Sequence, residues 1–392
     1  MVFDMRDFGV LMLCGVCRYL PTALAKYFDS PFFDVRLLRT LRNHNLIKIQ
    51  SNNLSYKLTY TGCEVLAEMG YTFPQDKRLD IKKESYRRKL RNALFNVTLF
   101  LAEINIFYDS SLSLADKNIG YVSSLMVRAD NRIKPLAGTR FLGILKIADT
   151  AYVSYFVDNK DDWIVPNYER EIYSAQISVM GNIKKTQIIL AGISLEELWK
   201  NVFPKVQSEP HSNGCKCFDI ALEELGSDFL LVPTDSNGVL QMSILQIAGY
   251  RDRILRVLEC TKDVPEELFE CDGIKDNIPY IIALDMNVNR IVRALRQVER
   301  FDKNAVPKIY YLPFQEEVIF MLLKRYWRKD ISIGKLTDKN ISIMFPETIH
   351  EYNPLSPYTN EKGVTYDASE RRVRKDDIEL PENWETHTQD KR

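Results

Sequence analysis

Apolar positions at helical spacing run from residue 4 to 20 and stop at Pro21, which predicts a first helix. A short second helix from Thr22 to about Phe28 leads into Asp29-Ser30-Pro31, where Ser30 suits an N-cap and Pro31 a first helical residue. The third helix, to about His44, sets Phe33, Leu37, Leu38 and Leu41 on one face and Arg36, Arg39, Thr40 and Asn43 on another. Leu46 to Gln50, the polar turn Ser51-Asn52-Asn53 and the alternating run Ser55 to Tyr60 read as a β-hairpin. Thr61-Gly62-Cys63-Glu64 matches a capping box and opens a helix through Met69. Three helices, a hairpin and a helix are predicted, as one domain over residues 1–75.

The next stretch, Asp76 to Arg91, is strongly charged and runs into an apolar helix from Leu94 to about Phe107. It reads as the basic first half of one connecting helix, over residues 76–115. Beyond it the period changes. Strands are predicted at Tyr121 to Val127, Arg140 to Ile147 and Ala151 to Val157, the last two forming a hairpin. Four short apolar strands then alternate with amphipathic helices: Thr186 to Ala191, Phe229 to Val232, Pro279 to Asp285 and Ile309 to Leu312. Helices are expected after Ser194, at Phe218 to Leu225, Val288 to Val298 and Phe314 to Trp327. This alternation predicts an α/β domain with a partly parallel sheet over residues 116–344, followed by a disordered polar tail over 345–392. The fold class is therefore mixed α/β behind an N-terminal winged helix-turn-helix.

Composition adds one correction to that picture. The chain has 392 residues, with 53 Lys+Arg against 53 Asp+Glu, so its formal charge is zero. The sum hides a division: residues 1–91 carry 16 basic against 9 acidic side chains, and the remainder is correspondingly acidic. The apolar run Phe8 to Cys17 is too short to span a membrane and lacks the flanks of a signal peptide. Seven cysteines in no regular framework fit reduced thiols, so a cytoplasmic protein without a membrane partner is expected. Cys14 and Cys17 form a CxxC, but inside an apolar helix and without a second ligand pair they read as buried small hydrophobes.

Helices followed by a hairpin form the winged-helix arrangement, in which the third helix enters the DNA major groove and the wing reaches the backbone. Arg36, Arg39 and Arg42 suit phosphate or guanine, Thr40 and Asn43 suit base edges or phosphate, and Lys48 and Lys57 on the wing strands suit phosphate. Double-stranded DNA is the expected partner, bound as a homodimer or through several contacts, since one half-site is weak. The segment LLRTLRNHNLIKIQSNNLSYKLTYTGCEVLAEMG, with its Leu58-Thr59-Tyr60-Thr61-Gly62 step, resembles the replication-relaxation family of plasmids and integrative conjugative elements of Gram-positive bacteria. RRKLRNALFNVTLFLAEI resembles that family's basic helix, and GTRFLGILKIADTAYVSYFVDNKDDW a strand pair of related mobile-element proteins. Arg128-Ala129-Asp130 stands where part of the family has Pro-Asp-Ala. The resemblance implies a role in replication, transfer or transcriptional control, with replication or transfer proteins as further partners.

No catalytic or metal-binding residue is assigned and no cofactor is expected: GxxxxGK[ST] and GxGxxG after a strand are both missing, and histidines number four. Two alternatives stay open. One is a metal-dependent nuclease or nickase using Asp158-Asn159-Lys160 with Asp149 or Asp130. The other is a protein-docking winged helix. Two more basic features could extend a nucleic-acid surface: the stripe Arg290, Arg293, Arg296, Arg300, and Lys324-Arg325-Tyr326-Trp327-Arg328-Lys329.

Overall fold

The computed structural model describes residues 5–73, 84–129, 140–159, 163–172, 176–204, 216–327, 329–348, 364–367 and 372–375. The fold is mixed α/β, with parallel and antiparallel strands. Two compact units divide it, one comprising Met1–Phe107 with Glu351–Arg392, the other Tyr108–His350.

In the first unit, α1 (Met5–Cys17) is buried along nearly its whole length. It ends where Arg18 turns left-handed (φ 61°), three residues before Pro21, and Leu20–Pro21 forms a short strand, β1. The expected second helix is reduced to a 3-10 turn, Leu24–Lys26. Ser30 does cap a helix, but only the 3-10 turn Pro31–Phe33, which buries Phe33. The long helix α2 (Val35–Asn43) starts four residues later than the Ser30-Pro31 signal suggests, because Asp34 is extended (ψ 131°) and its carboxylate takes up the Arg36 N–H. β2 (Ile47–Ile49) and β3 (Ser55–Leu58) make the hairpin, and the sheet order is β1-β3-β2. Pro21, which cannot donate to a ladder, sits on the edge strand.

α3 (Tyr60–Glu68) is capped by Thr59, not Thr61: Thr59 Oγ1 accepts from Gly62 N (3.1 Å) while its proton is directed to the carbonyls of Asn45 and Leu46. This cap brings the helix against the chain entering β2. A Cβ on Gly62 would lie 2.2 Å from the Leu46 carbonyl oxygen. Gly62→Ala is therefore expected to destabilise the unit by about 1–3 kcal/mol, read as a lower thermal midpoint by circular dichroism. α4 (Glu84–Leu101) packs against α1, with Asn96 beside Cys17 and Phe100 beside Gly9, and is buried from Ala93 to Phe100. The basic stretch read as a connector thus contributes a helix to the first unit, which extends to Phe107; residues 74–83 lie outside the described residues.

The second unit opens with an antiparallel meander, β4 (Ile119–Ser123), β5 (Gly143–Ile147) and β6 (Thr150–Phe156), in which Ala148 makes the tight turn with positive φ. The predicted strand Tyr121–Val127 instead changes at Ser124 into the short helix α5 (Ser124–Ala129). β7 (Trp163–Ile164) and α6 (Pro166–Ile172) follow. Then β8 (Lys185–Gly192), α7 (Leu195–Val202), the short β9 (Lys216–Cys217), α8 (Phe218–Leu225) and β10 (Phe229–Pro233) add two parallel strands, giving the order β10-β8-β6-β5-β4. Ser194 caps α7 through Glu197 N, as its sequence predicts.

α9 (Ser236–Leu245) and α10 (Tyr250–Val257) precede a second sheet: β11 (Gly273–Lys275), β12 (Ile278–Ile282), β13 (Lys308–Tyr311) and β14 (Ser332–Lys335), the last three parallel. α11 (Val288–Phe301) and α12 (Glu316–Tyr326) are its crossovers. Ile281, Ile309 and Tyr311 face the larger core with α11 and α12. Ile282, Tyr310 and Leu312 face a second core with α10 and α13 (Asp338–Met344). Both faces being covered explains why these strands are continuous apolar runs.

Phe345, the first residue of the predicted tail, is fully buried in that second core. Within the tail β15 (Val364–Asp367) and β16 (Arg372–Lys375) pair antiparallel; 349–363, 368–371 and 376–392 lie outside the described residues.

Candidate nucleic-acid interface

α2 turns Leu37, Leu38 and Leu41 inward. Its outward side carries two lines at i, i+4, i+7 spacing: Arg36, Thr40, Asn43 and, beside them, Val35, Arg39, Arg42. Arg36, Arg39, Arg42 and Asn43 are exposed; Thr40 is half-buried, and its hydroxyl donates to the Arg36 carbonyl (3.0 Å). That leaves Thr40 lone pairs, so it can accept but not donate to a base edge. Val35, at the tip of the helix, is 65% exposed. A helix that begins at Pro31 gives this residue no special place; with Asp34 as the cap, Val35 becomes the first residue presented.

The hairpin lysines are brought onto one face. Lys48 and Lys57 are direct partners across the β2–β3 ladder, so their side chains project to the same side. Lys48 is exposed, and Lys57 lies over the Tyr19 ring, 5.6 Å from its centre. On the opposite face of the hairpin, the Tyr56 hydroxyl is pushed up by burial against the pull of the Arg42 charge. Among the described residues, Arg36, Arg39, Arg42 and Lys48 make no ion pair.

The basic stripe of the second unit is built differently. Arg290 is buried, with one guanidinium nitrogen 2.9 Å from Asp272 and the other 3.5 Å from Asp285. Arg293 is bound to Asp228 (2.6 Å) and to Glu270. These two arginines are charge-paired and hold α11 to its surroundings; Arg296 and Arg300 are exposed. At the end of α12, Trp327 is buried with its indole N–H on the Asp330 carbonyl (3.2 Å), and Lys329 pairs with Glu299 (3.1 Å). The indole is thus committed to the core and closed to base stacking.

The carboxylates considered for metal chemistry do not converge. Asp149 precedes β6 and pairs with Lys184 (3.2 Å), whereas Asp158 follows the far end of the same strand. At about 3.3 Å per residue the two are separated by roughly 25–30 Å. Asp130 and Lys160 lie outside the described residues. Among the described residues no group of three or more His, Cys, Asp or Glu is placed to hold a metal ion. Cys14 and Cys17 are both buried, and burial pushes the Cys17 thiol up to about 12, which suits packing rather than redox exchange. Asp285-Met286-Asn287, at the carboxyl end of β12, is structural: Asn287 caps α11 by accepting from Arg290 N (3.0 Å), and Asp285 is closed in by guanidinium groups.

No helix among the described residues is long and apolar enough to cross a membrane. Comparison with known protein families, curated proteins and solved structures finds no match to this chain.

Proposed function

We propose that the first unit is a winged-helix module that binds duplex DNA, in a protein acting in replication, transfer or transcriptional control of a mobile element. The carrying observation is the outward placement of the cations of α2 and the hairpin, set against the paired arginines at the start of α11. The buried and half-buried arginines at the start of α11 are each consumed by acidic partners, whereas Arg36, Arg39, Arg42 and Lys48 stand outward on α2 and the hairpin with no ion pair among the described residues. Exposed cations on a helix followed by a two-stranded wing suit a polyanion with a groove wide enough for a helix. α2 would enter the major groove by its N-terminal end, with Val35 available to a thymine methyl and Arg36 and Arg39 to guanine or phosphate. The Leu58 to Gly62 step that resembles the replication-relaxation family supports the same assignment, since Thr59 and Gly62 are the residues that seat α3 against the wing.

The test is duplex binding by the full chain and by an Arg36→Ala, Arg39→Ala, Arg42→Ala variant, followed by fluorescence anisotropy of a labelled duplex. Loss of at least a hundredfold in affinity is expected, as each base or phosphate contact is worth on the order of 1–3 kcal/mol. Equal binding by the variant sinks the assignment.

A further inference from the structure

We propose that two copies of this chain associate through the open edge of the second sheet, β14 against β14 and α12 against α12, about a two-fold axis. The inference goes beyond the duplex-binding reading and does not depend on it. It starts from the edges of the two large sheets. Among the described residues, three of their four outer strands are met by a further segment: Tyr108 bridges to Val122 on β4, Asn287 to Leu230 on β10, and Thr261 to Ile274 on β11. β14 has no such cover. The Ser332 and Leu336 N–H groups donate to Pro307 O (3.0 Å) and Tyr311 O (3.0 Å) on the β13 side, so by strand alternation Ile333 and Lys335 turn their N–H and C=O groups outward. An unpaired row of this kind is a template for another strand.

The side chains along this edge match a second copy. Ile333 lies opposite Ile309, so it shares the face covered by α12, and Lys335 on that face pairs with Glu316 at the start of the helix (2.9 Å). α12 returns antiparallel to the strand, so one turn along it Phe320 falls beside Ile333. Phe320 is 47% exposed and Ile333 41%, two apolar side chains left half in water at an unpaired edge. Around Phe320 the exposed side of α12 runs from Glu317 to Lys324, acidic at one end and basic at the other. A hydrogen bond with Glu196 pushes the Glu317 carboxyl up, and Lys324 makes no ion pair among the described residues. A two-fold axis perpendicular to the sheet keeps both α12 helices on one face and sets them antiparallel. Phe320 then meets Phe320 of the second copy, and Lys324 of each copy meets Glu317 of the other, a self-complementary order. With the axis at Gly334, Ile333 stands opposite Lys335 of the second copy, so no lysine faces a lysine across the new strand pair.

Sedimentation equilibrium of the full chain without DNA, over about 1–100 µM, reads the association directly. A monomer–dimer equilibrium is expected for the wild type. Ile333→Lys, which sets a cation opposite Lys335 of the second copy, and Phe320→Glu are each expected to weaken it by at least about tenfold. Lys324→Glu, at an exposed position, should weaken it several-fold, and adding Glu317→Lys should restore it, because the swap rebuilds the pair in the reversed sense. This charge swap carries the test if Phe320→Glu fails to fold. A wild type that stays monomeric throughout overturns the proposal. A dimer indifferent to both Ile333→Lys and Phe320→Glu overturns this edge as its seat, and a swap that fails to restore the Lys324→Glu dimer overturns the antiparallel pairing of the helices. A chain that binds duplex as a monomer overturns this inference alone and leaves the duplex-binding reading standing.

Discussion

Asp285→Ala is expected to remove about 3–5 kcal/mol from the stability of the second unit, the range for breaking one side of a buried ion pair. Asp285 is buried at 3% exposure, and its carboxylate receives the Arg251 guanidinium, the Asn287 N–H (3.1 Å) and, at 3.5 Å, Arg290. Arg290, itself buried, also binds Asp272 (2.9 Å) and the Ile282 carbonyl. Two guanidinium groups face two carboxylates, and the cluster is neutral. Burial acts to raise the Asp285 pKa, but Arg251 and Arg290 outweigh it and hold the group at about 2, below its ordinary 3.8. The pair therefore contributes stability that is complete above about pH 4 and lost as pH falls toward 2. Without the carboxylate, two cations share Asp272, and one buried charge is left uncompensated. Trp199 and Trp327, both buried in this unit, report the change by fluorescence in urea. Pairing Asp285→Ala with Arg290→Met should recover part of the loss, because the opposed charges then leave together. A loss below about 1 kcal/mol would show that the guanidinium groups find other partners.

The second large effect is a pH dependence centred on Glu169. This residue of α6 is fully buried; Oε1 accepts from Arg140 N (3.1 Å) and Oε2 from the Tyr155 hydroxyl (2.9 Å). Burial raises its pKa from 4.5 to about 7, although both hydrogen bonds and the charges of Arg128 and Arg140 pull the other way. A carboxyl that holds its proton more tightly when folded stabilises the fold fully below its unfolded pKa. That stability is lost as pH rises through the folded value. The unfolding free energy of the second unit should fall by about 3 kcal/mol between pH 4.5 and pH 7.5. Glu169→Gln carries no proton to lose, and the Tyr155 hydroxyl can rotate to accept from the new amide. The decline should be missing from the variant, so the gap between the two proteins' urea midpoints changes as pH rises from about 4.5 to 7.5. Parallel pH profiles for both would dismiss Glu169 as its source.

Legibility in the sequence followed burial. α8 has the bounds its pattern predicts, Phe218–Leu225, and the strands β8, β10, β12 and β13 stand out as apolar runs because their cores lie on both faces. α9 was hidden. It is buried on several sides, with Gln241 reaching two backbone carbonyls, Leu231 O (2.9 Å) and Asp285 O (3.1 Å), so it shows no polar stripe at helical period. β14 escaped notice for the opposite reason: it is a half-exposed edge strand in which Gly334 lies flat against the Tyr310 ring. Cap competition set the remaining boundaries, as at Asp34 over Ser30 and Thr59 over Thr61. On the basic surface, the α2 residues could be read from a single amphipathic helix. The link between α4 and the hairpin could not, because Tyr86 and Ser55, which make it, are 31 residues apart.

The facing pair of Lys48 and Lys57 also ties the charge pattern of the hairpin to its register. Ile47 and Leu58 are matched beside the pair, and the Tyr86 hydroxyl meets Ser55 further along β3. On the duplex-binding reading proposed above, a one-residue slip between β2 and β3 would turn one of the two lysines to the opposite face and halve the charge offered there.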